Sequence, residues 1–242
     1  MAVTLLLTAV TVAVSLAVRH VLGFGFSLTF VPLASFFLTT REAVLTAILL
    51  EIVIGLLLAV ELRRHLRLRE SVQLQLASLL GIVGGLGALR IFSPATLFRL
   101  SLIPLLAVAL LLCVRPNLKT RPSRAKLAAA GLMSGAMNVW ASFSGPPVVL
   151  YYLATEASAS AIKGLLTGYF LLLYLFTAAG LAFSGEYGRF AAWLPALLGG
   201  VVITVLFPLS RNLAGAVEPW FRRLAAGFLL LVALAALVKA LY

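Results

Sequence analysis

The stretches GFGFS, at residues 23–27, and SFSGPP, at residues 142–147, each interrupt an otherwise apolar helix. They occur at comparable places in the two halves of the 242-residue chain. In a membrane protein, unwound backbone is tolerated at depth only where protein or a water-filled cavity satisfies its polar groups, so paired breaks indicate a substrate site. The two breaks therefore predict a transporter.

The composition indicates a membrane protein with many spanning helices. The chain is 63% hydrophobic and 11% charged, and its mean hydropathy is +1.14. Soluble domains carry about 25% charged residues, so this chain has too few polar side chains to cover a water-facing surface. We expect an all-α, polytopic membrane protein of two inverted five-helix repeats, with about 8–10 transmembrane segments.

The excess of basic residues favours membrane lipids over nucleic acid as a partner. The chain has 19 Lys and Arg against 7 acidic residues, and most of the basic ones lie in two short loops, 63–69 and 115–126. Such loops are typical of the cytoplasmic side of a membrane protein, where anionic headgroups attract them. A single cysteine and two histidines exclude a Cys or His metal cluster, and we expect no metal and no cofactor.

Ten helical segments are predicted, in the same order in each half: long, break, short, long, long, long. The halves are a first repeat over residues 1–115 and a second over 127–242, joined by a basic cytoplasmic linker over 116–126. The predicted segments are Val3–Val18, Ser27–Leu38, Glu42–Val60, Val72–Leu89, Pro94–Val114, Leu127–Ala141, Pro146–Leu153, Ala159–Phe183, Phe190–Phe207 and Pro219–Leu241.

Charge counting favours an inverted arrangement of the halves. With five spans per half, 14 of the 19 basic residues lie inside and both termini outside. If the two short segments turn back to their own side, only 11 lie inside. Because short loops with more Lys and Arg stay in the cytoplasm, the first arrangement is preferred.

Three glycine pairs are interpreted as helix-packing positions. Each pair is spaced four residues apart, which places both glycines on one helix face and lets a neighbouring backbone approach closely. The pairs are Gly81/Gly85, Gly131/Gly135 and Gly164/Gly168.

The stretches GFGFSLTFVPL, from residue 23, and GLMSGAMNVWASFSGPPVVLYYL, from residue 131, resemble the TauE/SafE family of membrane proteins. The family has a Gly-rich segment leading to Val-Pro in its first half and a Gly-Gly-Pro segment in its second. The residues that match are Gly23, Gly25, Val31, Pro32, Gly145, Pro146 and Pro147. The resemblance implies a multi-pass permease of a prokaryotic inner membrane that exports sulfite or sulfonates such as sulfoacetate.

This chain departs from the family pattern at three positions. Phe26, Ser27 and Ser144 stand where the family often has glycine. A bulkier lining at these positions implies a different or smaller substrate.

The chemistry of the breaks also suits a small anion. Ser144 is predicted to be the N-cap of a helix whose first residue is Pro146, and a helix N-terminus attracts anions. Donors in this half come from backbone N–H groups near Gly145 and from side chains of Asn138, Ser142 and Ser144. In the first half, the candidate substrate-binding residues are Arg19, Gly23, Gly25, Phe26, Ser27, Thr29 and Pro32.

Glu51 is an acidic residue in the middle of a predicted span, where an unpaired charge is expensive. Three interpretations stay open: a proton carrier, a gate that pairs with Arg19 or Arg99, or a neutral Glu hydrogen-bonded between helices. Arg19 immediately precedes the first break, which makes it a candidate contact for the substrate anion.

Sequence motifs favour transport over catalysis. The chain has no GxSxG, HExxH, Walker A or CxxC pattern, so we expect no enzyme. The preferred function is a secondary exporter or uniporter of small organosulfur anions. The alternatives are a non-transporting membrane scaffold and an anion channel, and a homodimer is an open option. A carrier requires both breaks to face each other across a polar pocket.

Overall fold

The computed structural model describes residues 2–61, 63, 68–114, 118–155, 159–189, 193–210, 223–225, 227–232 and 234. Within these ranges the protein consists of helices without strands, which confirms the predicted all-α membrane fold. Four helices are long and apolar enough to cross a membrane: Val3–Leu22, Thr40–Glu61, Pro94–Val114 and Ile162–Phe183. Shorter apolar helices span Val72–Ala88, Leu194–Leu209 and Arg223–Val232.

The helices follow the predicted order of long and short segments. Residues 223–225, 227–232 and 234 are also helical, and the rest of the predicted segment Pro219–Leu241 lies outside the described residues. The helices are α1 (Ala2–Leu22), α2 (Phe26–Ala34), α3 (Thr40–Glu61), α4 (Leu68–Ala88), α5 (Pro94–Val114), α6 (Arg124–Ala141), α7 (Gly145–Ala154), α8 (Ala159–Phe183), α9 (Glu186–Arg189) and α10 (Trp193–Ser210).

Some predicted boundaries and one element were wrong. Helix α1 continues to Leu22, so it runs directly into the first break. Helix α7 begins at Gly145, and Pro146 therefore occupies its second position, not its first. Proline is tolerated there because the first N–H groups of a helix have no intrahelical partner. The short helix α9 was not predicted.

Several helix contacts of the first half have a counterpart in the second. In the first half α1 packs against α2, and in the second half α6 packs against α7. Helices also pack across the halves, since α10 packs on α1 and α3 while α4 packs on α6 and α8. The two breaks come close together, and the Tyr174 hydroxyl contacts both. The opposite membrane orientation of the halves stays a prediction.

Helices α4 and α6 meet through the predicted glycine positions. A methyl group added to Gly81 would collide with the Leu132 carbonyl, and one added to Gly135 would collide with the Ser78 carbonyl. Only glycine permits this backbone approach, which fixes α6 and the break that follows it. A packing role for Gly164 and Gly168 stays a prediction.

Candidate functional site

Both breaks contain backbone in the left-handed region. In the first, Gly23 has a φ of 73° and Gly25 a φ of 98°. In the second, Ser142 has a φ of 59° and is the one non-glycine residue with positive φ in the described part of the chain. This conformation costs an L-residue about 1–2 kcal/mol. The local sequence thus ends α1 and α6 abruptly and lets a new helix begin within the protein.

The two breaks face each other across a small polar cavity. Its volume is about 10 Å³, the space of roughly one water molecule. The lining comes from both breaks and from helices α3 and α8: Gly25, Ser27, Leu28, Glu51, Ser142, Ser144, Gly145, Phe170 and Tyr174. The site is therefore closed around a space much smaller than a sulfite ion.

The Tyr174 hydroxyl joins the two breaks. It lies 3.1 Å from Ser27 Oγ in the first break and 3.1 Å from Ser144 Oγ in the second. It also donates to Glu51 Oε1 over 3.2 Å, and Ser27 Oγ donates to the same oxygen over 3.1 Å. One buried hydroxyl thus connects both breaks with the carboxylate in the middle of α3.

Arg19 and Glu51 form an ion pair inside the helix bundle. Arg19 Nε lies 3.7 Å from Glu51 Oε2, and the two side chains are 1% and 2% exposed. Arg19 Nη1 donates to the Gly23 carbonyl over 2.5 Å, and its guanidinium lies 4.9 Å from the centre of the Phe170 ring. The closed site therefore contains one cation and one anion at its edge.

One edge of the Arg19 guanidinium makes no hydrogen bond. Nε and Nη2 are buried and have no hydrogen-bond partner among the described residues, and the same holds for Glu51 Oε2 and Ser142 Oγ. Buried polar atoms are normally paired, so unpaired ones call for an explanation. The N–H bonds of Nε and Nη2 run parallel in the plane of the guanidinium group and form a fork that matches two oxygens of an oxyanion.

A second hydroxyl chain fixes the backbone of the second break. Ser134 Oγ donates to the Ser144 carbonyl over 2.6 Å, and the Tyr169 hydroxyl donates to Ser134 Oγ over 2.7 Å. Tyr169 also lies 2.8 Å from Ser78 Oγ on α4. The chain links α4, α6 and α8 to the residue that precedes α7.

The predicted site residues fall into two groups. Six of them line the cavity: Gly25, Ser27, Glu51, Ser142, Ser144 and Gly145. Arg19 does not line it but contacts Glu51 and Phe170, which do, and its side chain bonds the Gly23 carbonyl. The other five do not line it: Phe26, Thr29, Pro32, Asn138 and Pro146.

These five residues have contacts elsewhere in the helices. Phe26 stacks on Phe30 with ring centroids 5.5 Å apart. Thr29 Oγ1 donates to the Gly25 carbonyl, and Asn138 Nδ2 donates to Thr177 over 2.9 Å. Pro32 and Pro146 are buried inside α2 and α7.

The predicted capping role of the Ser144 side chain was wrong. Ser144 does precede α7, but its hydroxyl makes no capping hydrogen bond. Its hydroxyl lies 3.1 Å from the Tyr174 hydroxyl on α8 instead.

Three residues of the site were not predicted from the sequence: Tyr174, Phe170 and Tyr169. All three lie in the interior of the apolar helix α8, where aromatic residues are indistinguishable by pattern from ordinary packing. The one available signal was the two phenol groups, since a buried tyrosine hydroxyl normally requires a polar partner.

A second buried ion pair lies at the end of the bundle where α3 begins. Arg41 Nη2 is 2.9 Å from Glu186 Oε2, and Arg41 Nη1 donates to the Val139 carbonyl over 2.9 Å. Arg41 therefore ties α9 to α6 close to the second break. Arg99, the other arginine considered for Glu51, is exposed on α5.

The fold and this centre define a class of protein: a polytopic helical membrane protein with a closed, charged site between two broken helices. Apolar helices of spanning length surround side chains that are too polar for a lipid-facing position.

The chain belongs to the TauE/SafE family. It matches the family model described as Sulfite exporter TauE/SafE over residues 7–236, which is nearly its whole length. The family consists of membrane transporters, so the predicted membership and membrane transport are confirmed at that level. Comparison with curated proteins and with solved structures gives no match.

Proposed function

We propose that the protein is a secondary transporter that exports small organosulfur anions, such as sulfite, sulfoacetate or related sulfonates, through a site between its two breaks. The observation that carries this proposal is that Nε and Nη2 of Arg19 are buried and make no hydrogen bond among the described residues. Nε lies 3.7 Å from Glu51 Oε2 and the guanidinium carbon lies 4.9 Å from the centre of the Phe170 ring, and both of these residues line the cavity between the breaks.

The donors around the cavity suit an anion with several oxygens on one centre. The fork of Arg19 binds two oxygens in a bidentate manner. Ser27, Ser142 and Ser144 offer hydroxyls from both breaks. The N-termini of α2 and α7 add partial positive charge, because their first N–H groups have no intrahelical partner. A tetrahedral or pyramidal sulfur oxyanion can use all three kinds of donor at once.

The closed cavity supports a carrier over the two alternatives. A channel needs a continuous water-filled path, whereas this cavity has room for about one water. A scaffold would bury the breaks against apolar side chains, whereas hydroxyls and an ion pair occupy the contact here. Binding therefore requires the breaks to move apart, and the closed form is the empty state.

We infer that the protein works in a prokaryotic inner membrane, as the family resemblance implies. The sequence lacks a Walker A motif, so the driving force is an ion gradient, the membrane potential or the gradient of the anion itself. For an anion carried alone, the potential favours the exit of one negative charge from a negative interior by about 2.3 kcal/mol per 100 mV. A singly charged anion carried together with one proton gains nothing from the potential and leaves down its own gradient. A homodimer stays a prediction.

Flux through proteoliposomes tests the proposed function. The purified protein is reconstituted, and efflux of sulfite, sulfoacetate and methanesulfonate is compared with empty liposomes. Gly145→Leu crowds the contact between the two breaks, since even a methyl group at Gly145 would lie 3.3 Å from Phe24 in the first break. Gly84→Leu is the matched control, because Gly84 is exposed on α4 and an added methyl group meets nothing within 4 Å.

We expect wild type and Gly84→Leu to carry at least one of the three anions, and Gly145→Leu to carry none although it elutes as a folded protein. A folded Gly145→Leu variant with wild-type flux would reject the site. Absence of flux for all three anions in the wild type would reject the function.

A further inference from the structure

The charges in the closed site cancel. Arg19 from α1 and Glu51 from α3 are both buried, and their side chains face each other. Among the described residues, Tyr174 from α8 is the other titratable group that contacts Glu51. Helix α2 contributes a neutral hydroxyl through Ser27.

In the described part of the chain, the other helices packed on α3 bring no further charge to Glu51. Helix α10 has no ionisable residue in its sequence. On α5 and α6 the charged residues are Arg99, Arg124 and Lys126, all exposed. Helix α8 carries Lys163, which lies beside Gly23 at the Arg19 end of the site and close to His20.

A singly charged anion that binds Arg19 beside the Glu51 carboxylate leaves two negative charges facing one guanidinium group in a region of low dielectric. Burying an unpaired charge is costly, which buried groups avoid by pairing or by neutralisation. The anion also competes with Glu51 for the same edge of Arg19, because Nε is the atom that faces Glu51 Oε2. Uptake of one proton by Glu51 removes both obstacles.

We propose that Glu51 is the coupling site of the transporter and carries one proton across the membrane with each anion. The proposal rests on the proposed function of the same site. In the empty state the carboxylate of Glu51 faces Arg19. In the loaded state the proton resides on Oε2, the oxygen without a hydrogen-bond partner among the described residues, and Nε and Nη2 of Arg19 hold the anion.

The cycle conserves protons and charge. Glu51 takes its proton from the water on the side where the anion enters. When the site opens on the other side, the anion leaves, the proton returns to water there, and Glu51 pairs with Arg19 again. Hydroxyls of Ser27 and Tyr174 keep their contacts with Oε1 in both states, since that oxygen accepts from them.

The first test uses wild-type proteoliposomes with the membrane potential held at zero by valinomycin and equal K⁺ on both sides. The probe is whichever of sulfoacetate and methanesulfonate gives the faster wild-type flux, corrected for empty liposomes, because neither anion takes up a proton near neutral pH whereas sulfite does. At zero potential the charge of the anion has no influence, so one-to-one coupling requires a tenfold proton gradient to sustain about a tenfold anion gradient. An anion that equilibrates without accumulation overturns the coupling while the proposed function stands.

The second test uses Glu51→Gln, which keeps the size of the side chain and an oxygen that accepts from Ser27 and Tyr174. We expect the anion gradient sustained by the tenfold proton gradient to fall from about tenfold to about onefold, while exchange of labelled anion at equal concentrations becomes slower but stays above that of empty liposomes. Glu42→Gln, at the start of the same helix, is the matched control and retains accumulation. Accumulation by Glu51→Gln equal to the wild type would overturn the proposal. If this variant does not fold, the wild-type measurement decides alone.

Discussion

The two helix breaks share a backbone plan but differ in their chemistry. Gly25 and Ser142 precede the aligned Phe-Ser pairs of the two breaks and both adopt positive φ. The first break lies beside Arg19 and its partner Glu51, whereas the second supplies hydroxyls and carries no charge. Two halves with the same layout therefore contribute different groups to one site.

The breaks also differ in how they are held. The second is fixed by the chain from Ser78 through Tyr169 and Ser134 to the Ser144 carbonyl. The first is held by Arg19, whose side chain bonds the Gly23 carbonyl. An anion that recruits Arg19 thus acts on the first break, while the second provides a rigid wall. Substitutions in one break should accordingly have different effects from those in the other.

The largest effect is expected for Arg19→Met. It leaves the Glu51 carboxylate buried without a cation, which costs about 3–5 kcal/mol, and it removes the fork for the anion. Thermal unfolding in detergent and proteoliposome flux measure the two consequences separately. The double variant Arg19→Met/Glu51→Gln serves as control: it should regain most of the stability and none of the flux. Wild-type flux in either variant would contradict the role of Arg19.

A smaller effect is expected for Gly25→Ala, which tests the backbone of the first break. Its φ is 98°, and the added methyl group would lie 2.7 Å from Phe228 Cε1. The strain should lower the free energy of unfolding by about 1–3 kcal/mol. Gly84→Ala, in open space on α4, should by contrast leave stability unchanged or raise it by up to about 1 kcal/mol. Equal unfolding temperatures for the two variants would show that the positive φ is unimportant.

A comparison of Tyr174→Phe with Tyr169→Phe distinguishes the contact between the two breaks from the hydrogen bonds that support the second break alone. Each removes a buried hydroxyl, and each should cost about 1 kcal/mol of stability. Only Tyr174 touches both breaks and Glu51, so only its loss should change the flux severalfold. Identical flux in the two variants would mean that Tyr174 serves stability alone.

The smallest effect is expected for Ser142→Gly, which gives the second break the residue type of the first. Glycine relieves the cost of the positive φ, but it loses more conformational freedom on folding. Stability should therefore change by less than about 1 kcal/mol. Affinity for the anion should fall, because Ser142 Oγ lines the cavity without a hydrogen-bond partner in the described structure. Ser142→Ala keeps the strain and removes the same hydroxyl, so the two variants should bind equally weakly.

The sequence predicted the fold and the positions of the breaks well, because apolar runs and Gly-Pro clusters are local signals. It also singled out Arg19 and Glu51, since charged residues next to a break or within a span are costly. It left open whether Glu51 pairs with Arg19 or Arg99, because the pairing depends on how α1 and α3 pack. Geometry places Arg19 next to Glu51 and leaves Arg99 exposed.

Other parts of the site could not be predicted from local sequence patterns, because they depend on how the helices pack. Tyr174 reaches Ser27 and Ser144 only after α8 docks between the halves, so its role depends on residues 147 and 30 positions away. Asn138, Thr29 and Pro32 are polar or near a break by sequence, but the helical rotation turns them away from the cavity. The sequence shows which residues lie near the breaks, but it does not show which of their side chains face the cavity.

Calorimetric titration of sulfite into the purified protein tests the central claim, that both breaks hold the same anion. Wild type, Ser27→Ala and Ser144→Ala are compared at one pH in detergent. A hydrogen bond to a charged group contributes about 1.5–3 kcal/mol, so each variant should weaken sulfite binding by roughly tenfold or more. Wild-type affinity in either variant would show that the anion is not bound between the two breaks.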